Sequence, residues 1–146
     1  MTPAFLVRPA RWQADETAIA RVRRTVFVQE QGVPEALEWE SWDGDCAWFV
    51  AEDGGNTIVG IGRLTPEGRV GRMAVLPEWR GRGVGSALLA AALSEARGRG
   101  QRRVELSAQS RAVPFYLRHG FRALGDEYLD AGIPHRTMTL ELGATP

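Results

Sequence analysis

Three glycines in one short loop have the spacing in this chain that most clearly suggests a chemical role. Gly81, Gly83 and Gly85 occupy alternate positions between Pro77 and a helical pattern. Glycine tolerates positive φ and leaves the backbone uncovered. The start of a helix adds unpaired N–H groups and about half a positive charge. The loop is therefore suited to an anion such as pyrophosphate, although a plain turn from strand to helix would need the same glycines.

Two common phosphate-binding loops do not fit this segment. The dinucleotide pattern Gly-x-Gly-x-x-Gly needs a third glycine, but Ser86 or Leu88 stands there when the count starts at Gly81 or Gly83. Glu105 lies at about the distance of a ribose-binding acid, yet within a strand pattern. The chain has no lysine, which excludes a Walker-type loop and Schiff-base chemistry on a lysine. A nucleotide-binding module is therefore disfavoured.

Charge is balanced overall but unevenly distributed. The formal net charge is zero, so neither nucleic acid nor an anionic membrane is expected as a partner. The residues between Arg24 and Arg63 include acids and no bases: Glu30, Glu35, Glu38, Glu40, Asp43, Asp45, Glu52 and Asp53. The stretch after the glycine loop is rich in arginine instead. The acidic stretch favours a cation and the basic one an anion, although each is equally compatible with an ordinary solvated surface.

The whole chain has the size and composition of one globular domain, residues 1–146. It contains neither a membrane-length apolar run nor a secretory signal, so we expect a cytoplasmic protein. The single cysteine, Cys46, cannot form an intramolecular disulfide and is expected to be buried and inert. The chain's two histidines lie far from Cys46 in sequence, so no metal site is predicted.

The elements that must position these residues alternate between strand and helix patterns. Strands are predicted at 5–8, 46–52, 57–64, 70–76, 103–107, 121–126 and 137–142, and helices at 15–27, 84–97 and 112–119. Residues 35–45 are predicted as a loop with one helical turn, and residues 132–135 belong to an irregular connection. The order favours an α+β fold with a mixed sheet over a doubly wound parallel one.

Three segments together resemble the GNAT N-acetyltransferase superfamily. Arg80, Gly83 and Gly85 match its cofactor motif, Arg/Gln-x-x-Gly-x-Gly/Ala after a strand and a proline. Residues 112–121, with a Phe-Tyr pair and a closing Gly-Phe, resemble its second cofactor helix. Residues 26–34 are similar to the start of the ElaA-like branch. The resemblance covers most of the chain.

The resemblance implies a single domain with a bent, mostly antiparallel sheet of about seven strands, splayed at strands 4 and 5 and flanked by helices. Acetyl-coenzyme A would lie in the opening. The backbone of Met73 and Val75 would bind the pantetheine arm, and the N–H groups of residues 81–86 the pyrophosphate. The implied cofactor-binding residues are Met73, Ala74, Val75, Arg80, Gly81, Arg82, Gly83, Val84, Gly85, Ser86, Gln109 and Tyr116.

The family reaction implies direct attack of a neutral amine on the thioester, which needs a base, an oxyanion contact and an acid. An N–H within residues 73–75 is a candidate for the oxyanion contact. Tyr116 resembles the family's general acid, although on residue type alone it is equally a packing tyrosine. Glu30 and His135 are candidate bases, and a water chain to Glu52 is an alternative. His119 is expected to pack at the end of its helix.

The resemblance places the acceptor beside the acidic stretch, which suits a cationic amine of a small molecule or a peptide. Trp39, Trp42 and Trp48 would then be cation–π walls or, equally, part of the core. The alternative function is a regulatory domain that binds coenzyme A and has lost its chemistry. A homodimer is compatible with the sequence. The identity of the acceptor stays open.

Overall fold

A single seven-stranded mixed sheet organises the computed structural model, which describes residues 4–143. Its strands are β1 Phe5–Pro9, β2 Ala47–Asp53, β3 Ile58–Leu64, β4 Arg69–Val75, β5 Arg103–Gln109, β6 Arg122–Asp130 and β7 Ile133–Glu141. They lie in the order β1-β2-β3-β4-β5-β7-β6. Every neighbouring pair is antiparallel except β4 and β5, which are parallel. The predicted α+β fold is confirmed.

Helices cover both faces of the sheet. The α-helices are α1 Trp12–Arg23, α2 Glu35–Glu38, α3 Val84–Gly98 and α4 Val113–Arg118. A π-helical segment, Arg24–Glu30, continues α1, and 3-10 turns occupy Asp43–Asp45, Pro77–Trp79 and Ser110–Ala112. Strand β2 contributes alternate side chains to two cores, Phe49 to the one under α3 and Val50 to the one under α1.

The start of the first helix differs from the prediction of residues 15–27. The helix begins at Trp12, where the Arg11 N–H donates to the Asp15 carboxylate at 2.8 Å. It then widens into the π-helical segment at Arg24. A wider turn shifts the apolar period, so a search for a 3.6-residue repeat could not place the end of the α-helix.

The last two strands are longer than predicted, and the expected irregular connection at residues 132–135 is wrong. Strands β6 and β7 form a hairpin whose turn is Ala131 and Gly132, both with positive φ. Pro134 is tolerated because β5 ends opposite His135, so Pro134 pairs only with Leu129 of β6. Pairing along the hairpin therefore outweighs the local turn signals.

The parallel pair β4 and β5 separates soon after it begins. Only Arg69 with Glu105 and Val70 with Leu106 are paired, although β4 continues to Val75 and β5 to Gln109. The predicted splay at the fourth and fifth strands is confirmed. Among residues 4–143 no helix is long and apolar enough to cross a membrane.

Candidate active site

The splay between β4 and β5 opens into a cleft of about 690 Å³. Its walls come from β4, β5, β7, α4 and the π-helical segment. The sequence-predicted site residues that line it are Met73, Ala74, Val75, Arg80, Gly85, Gln109, Tyr116 and His135. Sequence reasoning missed Gln31, whose amide hydrogen-bonds to that of Gln109 across the cleft at 2.6 Å. Three β-strands, one α-helix and the π-helical segment, distant in sequence, thus converge on one opening.

The glycine loop lies at the mouth of this cleft and begins α3. Gly81 and Gly83 have φ of 73° and 85°, and a Cβ at either would meet nothing within 4 Å. The Gly83 carbonyl accepts the Ala87 N–H at 3.0 Å, so the N–H groups of residues 84–86 precede the helical ladder. The backbone at Gly81 and Gly83 is therefore uncovered, and the anion site expected from the glycine spacing stays a prediction.

His119 contacts the same loop, which the sequence did not indicate. Its Nε2 lies 3.0 Å from the Ser86 hydroxyl in the first turn of α3. Its ring packs against Phe115, with 4.8 Å between centroids. His119 therefore packs at the end of α4, as predicted, and also ties α4 to the start of α3.

A bulge in β4 decides which backbone groups face the cleft. Between the pairs Arg63 with Gly71 and Ile61 with Ala74, two β4 residues stand opposite the single residue Gly62. An antiparallel ladder alternates residues that bond their neighbour with residues that face away. The bulge thus adds one residue to that alternation.

The added residue turns Val75 towards the cleft. The Leu76 N–H bonds the Val59 carbonyl at 2.9 Å, so the preceding Val75 points its own polar groups away from β3. The Val75 carbonyl accepts a hydrogen bond from Arg80 Nε at 3.0 Å. The Val75 N–H faces the opening between β4 and β5. In an unbulged strand Val75 would take the place of Leu76 in the ladder.

Tyr116 lies on α4 with only 8% of its surface exposed, yet it lines the cleft. Its ring packs edge-on against Phe115 and Phe121. Burial disfavours the phenolate and raises the pKa of Tyr116 to about 12. The hydroxyl therefore keeps its proton at neutral pH and can donate it.

His135 lies on β7 opposite Gln109 and is almost fully buried, with its ring stacked on Tyr128. Its Nδ1 is 2.7 Å from the Ile133 carbonyl, which can only accept a hydrogen bond. Nδ1 must therefore carry the proton in the neutral ring, leaving the lone pair on Nε2. The Tyr128 hydroxyl is in turn hydrogen-bonded to Ser107, another cleft residue.

Glu30, the other candidate base, is held outside the cleft. Both its oxygens accept from the Arg80 guanidinium, at 2.6 and 2.7 Å. That hydrogen-bonded pair lowers the pKa of Glu30. A carboxylate so stabilised is a weak proton acceptor, so the geometry favours His135 over Glu30 as the base.

With this geometry established, the comparisons with known proteins identify the family. A family model described as an acetyltransferase (GNAT) domain matches residues 13–142. The chain belongs to the GNAT acetyltransferase family. The uncharacterised N-acetyltransferase YjcF of Bacillus subtilis is 40% identical over 121 residues, spanning 80% of this chain and 86% of YjcF.

Solved structures agree with the assignment to the GNAT family. A candidate N-acetyltransferase of Lactobacillus plantarum superposes with a TM-score of 0.87 at 28% identity, covering 95% of this chain and 99% of that one. Escherichia coli ElaA shares the fold, with a TM-score of 0.80 at 23% identity and 94% and 100% coverage. The resemblance drawn from the three sequence segments is thereby confirmed.

The acidic stretch beside the GNAT cleft is neutralised by arginines from other elements. Glu38, Glu40 and Asp43 meet Arg23, Arg63 and Arg72 in one largely buried network. The expectation that these acids attract a cationic substrate is therefore wrong for this part of the stretch. Sequence distance concealed the pairing, because the arginines come from α1, β3 and β4.

The tryptophans of this stretch hold the protein's own cations. Arg23 lies between the rings of Trp39 and Trp48, at 4.5 and 5.2 Å from their centroids. Arg63 lies 4.6 Å from the ring centroid of Trp42. Cation–π contacts are thus present, but to arginines of the network rather than to a substrate site.

Strain in the β4 bulge is concentrated at one member of this network. Arg72 has φ of 49°, a left-handed conformation that costs a non-glycine residue roughly 1–2 kcal/mol. Its guanidinium contacts Glu38 at 2.9 Å and donates to Glu40 at 2.7 Å. The two carboxylates hold the side chain of the strained residue.

Cys46, predicted to be a buried strand residue, instead precedes β2 and is only half-buried. Burial raises the pKa of its thiol, so the reactive thiolate is disfavoured, as the sequence predicted. Among residues 4–143 no group of three or more His, Cys, Asp or Glu side chains is arranged to hold a metal ion.

Proposed function

We propose that this GNAT protein transfers the acetyl group of acetyl-coenzyme A directly to a primary amine of a small molecule or a peptide. The observation that carries the proposal is the outward-facing Val75 N–H in a splayed strand that leads to an exposed glycine loop. One thioester substrate with a long polar arm and a pyrophosphate suits both features. Tyr116 and His135, both cleft residues, add an acid and a base.

The glycine loop would bind the pyrophosphate mainly through its backbone. An added Cβ would meet nothing within 4 Å at Gly81 or Gly83, and the residues that follow begin α3 at its positive end. Arg80 contributes through its place in the loop, because its guanidinium is engaged by Glu30 and the Val75 carbonyl. The pantetheine arm would run along Met73, Ala74 and Val75 as a strand-like neighbour of β4.

Three residues would perform the chemistry. His135 Nε2 accepts the proton of the amine as its nitrogen forms a bond to the acetyl carbon. The Val75 N–H stabilises the negative charge on the acetyl oxygen. The C–S bond then breaks, and Tyr116 donates its proton to the departing thiolate. Burial keeps the Tyr116 hydroxyl protonated at the pH of the reaction, and the same loss of hydration makes the departing thiolate a stronger base than it is in water.

The proposal is tested by release of free thiol from acetyl-coenzyme A in the presence of a panel of primary amines. We expect amine-dependent release, with the acetylated amine identified by mass spectrometry. Tyr116→Phe should lower turnover at least about tenfold while leaving the Kd of coenzyme A nearly unchanged. Binding of acetyl-coenzyme A without release for any amine would instead support a domain that has lost its chemistry.

A further inference from the structure

Arg72 is the point at which the buried charge network reaches the catalytic cleft. Its side chain lines the cleft and is 26% exposed, whereas those of Arg23 and Arg63 are 1% and 7% exposed. It is also the residue with left-handed φ in the β4 bulge. Arg72 thus connects the buried charge network to the β4 bulge.

The anchors of Arg72 are themselves held rigidly. Glu38 accepts from Arg23 Nε at 2.8 Å, and Glu40 accepts from Arg63 at 3.1 Å. Asp43 bridges these two arginines, with both contacts at 2.8 Å. Removing any one member leaves a buried charge without its full set of partners, so the six groups favour a single arrangement.

The arrangement of these six groups matters to the cleft because the pairing of β4 with β3 decides which backbone groups face the cleft. With two residues opposite Gly62, the Val75 N–H faces the opening, and with one it would bond the Val59 carbonyl of β3. Left-handed φ at a non-glycine residue persists only where the surroundings hold it. The carboxylates that grip Arg72 supply that hold.

We infer that Arg72 is a positioning residue: through Glu38 and Glu40 it holds the β4 bulge in the register that presents the Val75 N–H to the acetyl oxygen. The inference rests on the proposed function, since it assumes that acetyl-coenzyme A is the ligand. It assigns the acidic stretch a role in shaping the oxyanion contact rather than in attracting an amine.

The acetyl oxygen is absent from free coenzyme A, and this difference supplies a test that needs no acceptor. Calorimetry would measure the Kd of acetyl-coenzyme A and of coenzyme A for the wild type, Arg72→Ala and Arg72→Lys. We expect the preference of the wild type for acetyl-coenzyme A to fall about threefold to tenfold in Arg72→Ala, the range of one hydrogen bond. Coenzyme A itself should bind nearly as well, because the glycine loop still holds its pyrophosphate, and Arg72→Lys should restore part of the preference.

Two further variants separate positioning from folding. Glu40→Gln removes one anchor and leaves Arg72 in place, so it should show a smaller loss in the same direction and decides the matter if Arg72→Ala fails to fold. Arg24→Gln breaks the exposed Arg24–Glu35 pair beside the network, whose side chains are 51% and 55% exposed, and should change neither Kd.

Each outcome bears on a different statement. A wild type that prefers acetyl-coenzyme A, with variants that keep the full preference or weaken both ligands equally, would overturn the positioning role alone. A wild type that binds neither ligand would overturn the proposed function and this inference with it. Loss of the preference with unchanged coenzyme A binding supports both.

Discussion

The surroundings of Tyr116 and His135, both in the cleft, favour opposite roles in proton transfer. Tyr116 is surrounded by aromatic rings, and burial raises its pKa to about 12. The Nδ1–H of His135 donates a hydrogen bond to a backbone carbonyl, which leaves the lone pair of the neutral ring at Nε2. The first group is a donor and the second an acceptor, which is the division of labour that an acyl transfer needs. Residue type suggested both roles, but only the surroundings separate them.

The pKa of Tyr116 predicts the alkaline side of the pH profile. An ordinary tyrosine loses its proton near pH 10, whereas this one should stay protonated about two units higher because burial disfavours the phenolate. We therefore expect kcat not to fall between about pH 8 and pH 10. Initial rates across that range, with circular dichroism to confirm folding, would measure it, and a decline centred near pH 10 with the fold intact would mean that burial does not raise the pKa of Tyr116.

The two candidate bases are distinguished by their variants. His135→Gln should lower kcat/KM by at least about a hundredfold, because no imidazole lone pair remains to accept the proton of the amine. Glu30→Gln should preserve most of kcat, since Glu30 is bound to Arg80 outside the cleft, and initial rates of both variants would measure the contrast. The opposite pattern would assign the base to Glu30.

At the scale of elements, the glycine loop combines two functions. Gly81 and Gly83 provide positive φ where the chain turns into α3, and their lack of side chains leaves the backbone there uncovered, as anion binding would require. The sequence predicted the turn because glycine spacing is a local signal. The sequence did not predict the β4 bulge, because the bulge depends on how β4 pairs with β3 and on carboxylates distant in sequence.

A methyl group added to the loop should reveal both functions. Gly83→Ala places alanine at φ of 85°, so we expect a loss of about 1 kcal/mol in unfolding free energy and weaker coenzyme A binding. Chemical denaturation and calorimetry would measure the two effects. Gly98→Ala, at the other end of α3 with open space and no positive φ, is the matched control and should be neutral or slightly stabilising.

At the scale of the whole molecule, charges distant in sequence neutralise one another. The network of Arg23, Arg63, Arg72, Glu38, Glu40 and Asp43 joins α1, β3, β4 and the segment after the π-helix. Aromatic rings flank two of its arginines. A segment with little regular structure is thereby held against the sheet beside the cleft.

This network predicts a large difference between adjacent arginines. Arg23→Met should lower the unfolding free energy by about 3–5 kcal/mol, because the buried Glu38 and Asp43 carboxylates each lose one of their two arginine partners. Arg24→Gln should change it by less than about 0.5 kcal/mol, since its partner Glu35 is exposed. Urea denaturation of both variants would measure the contrast. Equal losses would mean that the network contributes no more than a surface pair.

The sequence by itself determined the family, the α+β fold and the order of the elements, and it placed the glycine turn that begins α3. Those features rest on local patterns: glycine spacing, hairpin turns, helical periodicity and motif residues within a few positions of one another. The tertiary structure alone decided that Glu30 binds Arg80, that His135 lies in a strand with Nδ1 bonded to a backbone carbonyl, and that the acidic stretch is paired with arginines of other elements. Such contacts join residues up to 50 positions apart, and no local preference records which partners the folded sheet brings together.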